Sequence, residues 1–278
     1  MTDAVTAPTG FVEGGRARLA YEERAGAPPA LLCVHGNSSH RGIWRPLLAE
    51  LAGWAAVAMD LRGHGDSGWV DPPDYGTETY AADIGLVAAA LGLGGEGRPY
   101  ALLAHSAGAL ASIAFVARTE RPPRALVLFD AEALVPRWQV EYFRERAAAQ
   151  GRVFASPEQV ARGFQNIYPS TPFERLLPFA EEGMLPAEGG WRQKLDPATF
   201  ATWEPGDLRP LLARIPCPTL VVRGGDSPVM SPAGFAALVA GIPGASGVEI
   251  PGTSHMLLLE RPAEIAVAVR QLLLQIVL

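Results

Sequence analysis

Cysteine is scarce in this chain of 278 residues, which contains only Cys33 and Cys217. No pair with CxxC spacing and no cluster of cysteine with histidine is present, so the sequence predicts no metal site. Cys33 lies inside an apolar run, and Cys217 lies between two prolines. This placement favours two separate thiols over a disulfide, which is uncommon in a reducing compartment.

Long apolar runs are also missing. Runs such as residues 107–117 and 272–278 fall well short of the ~20 residues that a bilayer-spanning helix needs. Residues 1–10 contain no basic region followed by an apolar run, which a secretory signal would have. We therefore expect a cytoplasmic protein that does not bind a membrane.

Positive charge is in slight deficit. Lys and Arg number 23 against 29 Asp and Glu, which gives a net charge of −6. No basic stripe with interleaved aromatic residues is present, so nucleic acid is excluded as an expected partner. Hydrophobic residues make up 49% of the chain, enough for one large domain with a buried core. We expect a small-molecule substrate and a monomer or homodimer.

Short apolar runs alternate with helix-like segments along most of the chain. Continuous apolar runs of this kind predict strands of a mostly parallel sheet with helices on both faces, which is an α/β fold. Two earlier runs, residues 11–13 and 18–23, are more polar and predict an antiparallel hairpin at one edge. The predicted buried strands lie near residues 30–35, 55–60, 100–105, 125–130, 219–224 and 247–250.

The alternation stops between Asp130 and Leu208, where we find helix-like segments and no convincing strand. The expected helices lie near residues 138–150, 157–168 and 172–182. Ligands bind beyond the carboxyl ends of the strands in open α/β sheets. We therefore interpret residues 131–207 as a helical cap over that edge, inserted into a core formed by residues 1–130 and 208–278.

The strongest motif is LLAHSAG at residues 102–108, which predicts a strand, a sharp turn and a helix with Ser106 at the turn. Small neighbours are needed because the turn holds the serine in a strained conformation. Ala104 replaces the usual first glycine and is still small. The backbone N–H of Ala107, at the helix start, can stabilise an oxyanion. The alternative interpretation is a serine that begins an ordinary buried helix.

A second motif, His35-Gly36-Asn37, ends the first buried strand. Gly36 lets the backbone turn, so that the N–H of Asn37 can point at the same oxyanion. The alternative is a plain turn next to a core histidine. The sequence DLRGHGDS at residues 60–67 is interpreted as a structural turn, because its glycines permit positive φ and its charged groups can bind loop backbone.

These motifs and GTSH at residues 252–255 occur in the order seen in the α/β-hydrolase superfamily, which the chain resembles over residues 11–274. The resemblance implies the α/β-hydrolase fold, with a sheet of about eight strands. It also implies a triad with Ser106 as nucleophile and His255 as base. Serine indicates attack on an ester, lactone, thioester or amide, without a cofactor. A cofactor-free C–C hydrolase and a non-catalytic receptor on the same fold are the alternatives.

Two carboxylates compete to orient His255. Asp226 follows the strand where most relatives carry the acid, but it comes one residue early, because Ser227 occupies the third position after Gly224. The chain resembles more closely a branch that includes (acetamidomethylene)succinate hydrolases, with the acid after the strand that follows the nucleophile strand. There the residue is Asp130. We predict Asp130 as the acid, with Asp226 as the alternative.

The predicted cap offers three candidate substrate contacts, Arg146, Trp138 and Tyr168. The guanidinium of Arg146 is suited to grip a carboxylate through two hydrogen bonds. The alternative is that the alternating charges of this helix form a solvated face and that the aromatic residues pack the cap onto the core.

Overall fold

The computed structural model describes residues 8–95, 97–147 and 151–277, and within them an eight-stranded sheet and a two-stranded sheet. The strands are β1 (Gly10–Gly14), β2 (Ala17–Arg24), β3 (Ala27–Val34), β4 (Trp54–Met59), β5 (Tyr100–His105), β6 (Ala125–Phe129), β7 (Met184–Ala187), β8 (Gly190–Gln193), β9 (Thr219–Gly224) and β10 (Ser246–Ile250).

The large sheet has the order β1-β2-β4-β3-β5-β6-β9-β10. The six strands from β4 to β10 along this order are parallel, while β1 and β2 are antiparallel and form one edge. The predicted mostly parallel sheet and its edge hairpin are confirmed. Because β3, β5, β6, β9 and β10 run in one direction, the residues that follow them meet at one edge of the sheet.

Helices cover both faces of this sheet. No helix within the described ranges is both long enough and apolar enough to cross a membrane. The helices are α1 (Arg45–Glu50), α2 (Thr77–Ala90), α3 (Ala107–Val116), α4 (Arg137–Ala147), α5 (Pro157–Ile167), α6 (Phe173–Glu182), α7 (Ala198–Thr202), α8 (Arg209–Leu212), α9 (Pro232–Gly241), α10 (Leu257–Glu260) and α11 (Pro262–Val277).

Alternate residues of each buried strand enter different cores. Leu32 and Val34 of β3 belong to the cluster on one face of the sheet, and Leu31 and Cys33 belong to the cluster on the other face. This is the two-residue period of a strand buried on both sides. Cys33 is a buried free thiol, and so is Cys217 in the opposite cluster, so the two do not form a disulfide.

The segment between β6 and β9 differs from the prediction in one respect. Five helices, α4 to α8, lie there, but so does the antiparallel hairpin of β7 and β8, where we expected no strand. Its two-residue loop ends at Gly189, which has φ of 80°, a conformation that glycine adopts at little steric cost. Strands of four residues are too short to show a clear alternation, which explains the error.

This inserted segment is tied to the core near the 60–67 turn. The Lys194 ammonium forms an ion pair with Asp66 at 2.7 Å, and the backbone N–H of Gly65 donates to the Lys194 carbonyl at 2.8 Å. On the other side, Arg45 of α1 pairs with Glu182 of α6 at 2.7 Å. These ion pairs and this backbone hydrogen bond hold α6 and the residue after β8 against the core.

Candidate active site

Ser106 lies between β5 and α3 in a strained conformation, with φ of 54° and ψ of −125°. Its neighbours leave no room for larger residues. A Cβ on Gly36 would lie 2.6 Å from the Ser106 Cβ, and a Cβ on Gly108 would lie 2.3 Å from the carbonyl oxygen of His35. Glycine is therefore required on both sides of this turn, and the strain is of the kind that concentrates at functional sites.

A chain of hydrogen bonds links three of the predicted residues. His255 Nε2 lies 3.1 Å from Ser106 Oγ, and His255 Nδ1 lies 2.7 Å from Asp130 Oδ2. An ionised carboxylate can only accept, so Nδ1 carries the proton and Nε2 presents a lone pair to the serine hydroxyl. This is the tautomer that can take the serine proton.

Asp130 is fully buried and follows β6 with φ of 51°. Its Oδ1 accepts from the Gly224 N–H at 3.0 Å, and its Oδ2 accepts from the Ser227 hydroxyl. Asp226, by contrast, is exposed, and its own backbone N–H donates to the Thr253 carbonyl. The structure therefore places Asp130 rather than Asp226 beside the histidine, with Ser227 supporting it.

The predicted oxyanion donors flank Ser106 on two elements. Ala107 is the first residue of α3, where a backbone N–H has no partner within the helix. Asn37 follows Gly36, which lies against Ser106. Both polar atoms of the Asn37 side chain are buried and without a hydrogen-bond partner among the described residues. Buried polar atoms without partners are uncommon, so this amide is a further candidate contact for substrate.

His105 is a residue of the site that the sequence analysis did not assign. Its Nε2 donates to the backbone carbonyl of His255 at 3.0 Å, and the two rings lie 4.5 Å apart. Burial lowers the pKa of His105 well below its usual value, so the ring is neutral. Its position directly before Ser106 is the signal that could have indicated a role in holding the His255 loop.

The three predicted cap contacts fall in different places. The Tyr168 ring lies 6.3 Å from the His255 ring, which brings Tyr168 to the triad. Trp138 lies on α4 with 59% of its surface exposed. The side chain of Arg146 lies outside the part of the chain that the structure describes. The contacts of Trp138 and Arg146 with substrate stay predictions.

A pocket enclosing about 320 Å³, part of it open to solvent, lies beside the turn that carries Gly36 and Asn37. The sequence analysis did not assign its lining residues, although the Gly-Gly pair before β8 was a hairpin signal. The lining residues are Ser38, Ser39, His40, Val160, Phe164, Phe179, Ala180, Gly183, Met184, Gln193, Lys194 and Leu195.

The histidines beneath the site are structural. His35 Nε2 accepts from the Leu61 N–H at 3.1 Å, and His64 Nδ1 lies 3.0 Å from the Arg62 carbonyl. Burial lowers the pKa of each ring to about 3, so both are neutral. Within residues 8–95, 97–147 and 151–277, no group of three or more His, Cys, Asp or Glu residues is arranged to hold a metal ion.

Comparison with known proteins identifies the family. Residues 31–268 match the sequence model of the Alpha/beta hydrolase family. The chain belongs to this family. It is 30% identical over 250 residues to a 2-(acetamidomethylene)succinate hydrolase from Mesorhizobium japonicum, covering 88% of this chain and 87% of that protein.

A solved structure and a second relative are also similar. A crystal structure of E-2-(acetamidomethylene)succinate hydrolase superposes with a TM-score of 0.84 at 28% identity, covering 95% of this chain and 98% of that chain. An N-formylmaleamate deformylase from Pseudomonas putida is 38% identical over 127 residues, which is 43% of this chain and 46% of that protein. This α/β hydrolase thus belongs to the predicted branch, and it is a hydrolytic enzyme.

Proposed function

We propose that this α/β hydrolase is a serine hydrolase that cleaves a carboxylic ester, lactone or amide of a small molecule through an acyl-enzyme. The observation that carries the proposal is the hydrogen-bonded chain from Asp130 through His255 to Ser106. The names of two relatives refer to succinate and maleamate derivatives, which supports a small carboxylic acid derivative as substrate.

In the proposed mechanism, His255 Nε2 accepts the hydroxyl proton while Ser106 Oγ attacks the carbonyl carbon. The backbone N–H groups of Asn37 and Ala107 stabilise the resulting oxyanion. His255 then donates the proton to the leaving group as the acyl-enzyme forms. Water activated by the same nitrogen hydrolyses the acyl-enzyme, and Asp130 stabilises the imidazolium in both halves of the reaction.

The inserted residues 131–207 are proposed to act as a cap over this site. Their support is Tyr168, at the end of α5, whose ring lies 6.3 Å from that of His255. A cap that excludes water strengthens the hydrogen bonds that stabilise the developing charge. No cofactor takes part in the proposed steps.

The test uses a fluorophosphonate probe together with a panel of phenyl esters, lactones, anilides and a β-diketone. Ser106→Ala should abolish labelling and lower kcat by about 10⁴-fold or more. Ser112→Ala is the matched control, because Ser112 lies buried in α3 with an unpartnered hydroxyl. It should be labelled like the wild type. Activity of Ser106→Ala above a few per cent, or a wild type that the probe does not label, would refute the proposal.

A further inference from the structure

Two elements lead from the triad to the pocket beside the oxyanion turn. The turn itself begins at Gly36 against Ser106 and continues into Ser38 and Ser39, which line the pocket. Helix α5 is the second element. Its residue Phe164 lines the pocket, and Tyr168, one turn later, lies near His255. The pocket therefore lies next to the proposed reaction centre, and these two elements connect its lining residues to Ser106 and His255.

Position along α5 indicates which part of a substrate enters this pocket. The leaving group must lie beside His255 Nε2, because that nitrogen gives it a proton. Val160, which lines the pocket, precedes Tyr168 by two helical turns, about 12 Å along the axis. The pocket thus extends along α5 away from His255 and borders the oxyanion turn at Ser38 and Ser39, a position that favours the acyl part over the leaving group.

The walls of the pocket are apolar and firmly held. Phe179 stacks on His40 with ring centroids 4.5 Å apart, and Phe164 packs edge-on against Phe179 at 5.8 Å. His40 is fixed in turn, since its Nε2 donates to the Phe179 carbonyl and its Nδ1 accepts from the Gly42 N–H. Walls of this kind suit the methylene groups of a short acyl chain.

One end of the pocket is polar and positively charged. Among the described residues that line it, Lys194 is the only charged one, since burial lowers the pKa of His40 and keeps it neutral and no acidic side chain of that set lines the pocket. The ammonium donates one hydrogen bond to Asp66 at 2.7 Å and has three protons to give. Asp66 is shared with Arg41, at 2.8 Å, so it does not belong to Lys194 alone.

Ser39 supplies the second observation. It is 9% exposed, and its hydroxyl is buried without a hydrogen-bond partner among the described residues. A buried polar group without a partner costs free energy unless a ligand or water satisfies it. The unused donor of Ser39 and the spare protons of Lys194 together suit an acceptor that carries negative charge.

We infer that this pocket binds the acyl part of the substrate and that Lys194 and Ser39, which both line it, hold a carboxylate there. The substrate class is then a monoester or monoamide of a short dicarboxylic acid. This inference rests on the proposed function, because it presumes that Ser106 attacks a carbonyl next to the pocket.

The test compares phenyl hydrogen succinate with phenyl butyrate, whose acyl chains match in length and differ in a terminal carboxylate or methyl group. Rates are corrected for the enzyme-free reaction. Lys194→Met should lower the ratio of kcat/KM for the succinyl over the butyryl ester by about 10- to 100-fold, the effect of losing a charge-assisted hydrogen bond. Ser39→Ala should lower it about 5-fold, and Lys194→Arg should largely keep it.

The matched control is Arg192→Met, which removes the same charge two residues earlier, within β8, at a residue that is not among the pocket-lining residues. It should change the ratio by less than about 2-fold, as expected for a screened charge. If Lys194→Met keeps the ratio while Ser106 is still labelled and phenyl butyrate is still hydrolysed, the pocket assignment is wrong and the proposed function stands. If the wild type hydrolyses neither ester and resists labelling, both are wrong.

Discussion

Replacing Asp130 with asparagine tests the triad most directly, because the surroundings of this residue fix how the new amide must lie. The Gly224 N–H donates to the Oδ1 position, so that position must keep an oxygen. The amide NH₂ is then forced into the Oδ2 position, beside His255 Nδ1 and the Ser227 hydroxyl. The reverse orientation would set two donors, the NH₂ group and the Gly224 N–H, against each other.

With an NH₂ group facing it, His255 Nδ1 must present its lone pair and the proton moves to Nε2. Nε2 then donates to Ser106 Oγ and cannot accept the hydroxyl proton. A wrong tautomer of this kind lowers kcat by about 10⁴-fold, or roughly 5 kcal/mol of transition-state stabilisation. KM should change little, since Asp130 is fully buried and does not line the substrate pocket.

The assay is steady-state hydrolysis of a phenyl ester, together with the rate of fluorophosphonate labelling. Asp226→Asn is the matched control, because this side chain is exposed and should cost less than about 2-fold. Both variants should keep a melting temperature close enough to that of the wild type to remain folded at the assay temperature. An Asp130→Asn variant that keeps more than a tenth of the activity, or equal losses in the two variants, would refute the reasoning.

Three further predictions follow from the same geometry. Gly36→Ala should lower kcat by about 100-fold or more, because its Cβ would lie 2.6 Å from the Ser106 Cβ. Asn37→Ala keeps the backbone N–H and should lower kcat by less than about 10-fold. Equal kcat values for the two variants would contradict this prediction. Ser227→Ala removes one donor to Asp130 and should lower kcat by no more than about 10-fold, measured with the same ester. Burial lowers the pKa of His35 and His64 to about 3, so only the unfolded chain gains these protons between pH 6.5 and 3. Urea unfolding should therefore show a loss of about 1.4 kcal/mol per histidine at pH 5.5 relative to pH 7.5, and equal free energies would contradict it.

Much of the fold could be predicted from the sequence because its strands are buried on both faces. Each appears as a continuous apolar run, and β5 and β9 begin and end where the runs do. The hairpin of β7 and β8 could not be found in this way, because it is short and half exposed. Its position depends on contacts with the core, such as the pairing of Lys194 with Asp66, which no local pattern encodes.

That Ser106, Asp130 and His255 lie close together could be predicted for a related reason. Ser106, Asp130 and His255 each follow a parallel strand, so their sequence positions already place them at one edge of the sheet. The pocket could not be predicted, because Ser39 and Lys194 are distant in sequence and line one pocket only through the packing of the insertion. His105 was overlooked because a histidine inside a buried strand is usually a core residue.

The position of the acid is best understood as a property of two neighbouring strands. β6 and β9 are adjacent and parallel, so residues that follow either strand lie at the same edge of the sheet as His255. The histidine needs only one such oxygen, and a second buried carboxylate beside it would be repelled. Ser227, three residues after β9, instead supplies a hydroxyl that donates to Asp130. Asp130 and Ser227 are thus joined by one hydrogen bond, so that the residue after the second strand orients the carboxylate after the first toward His255.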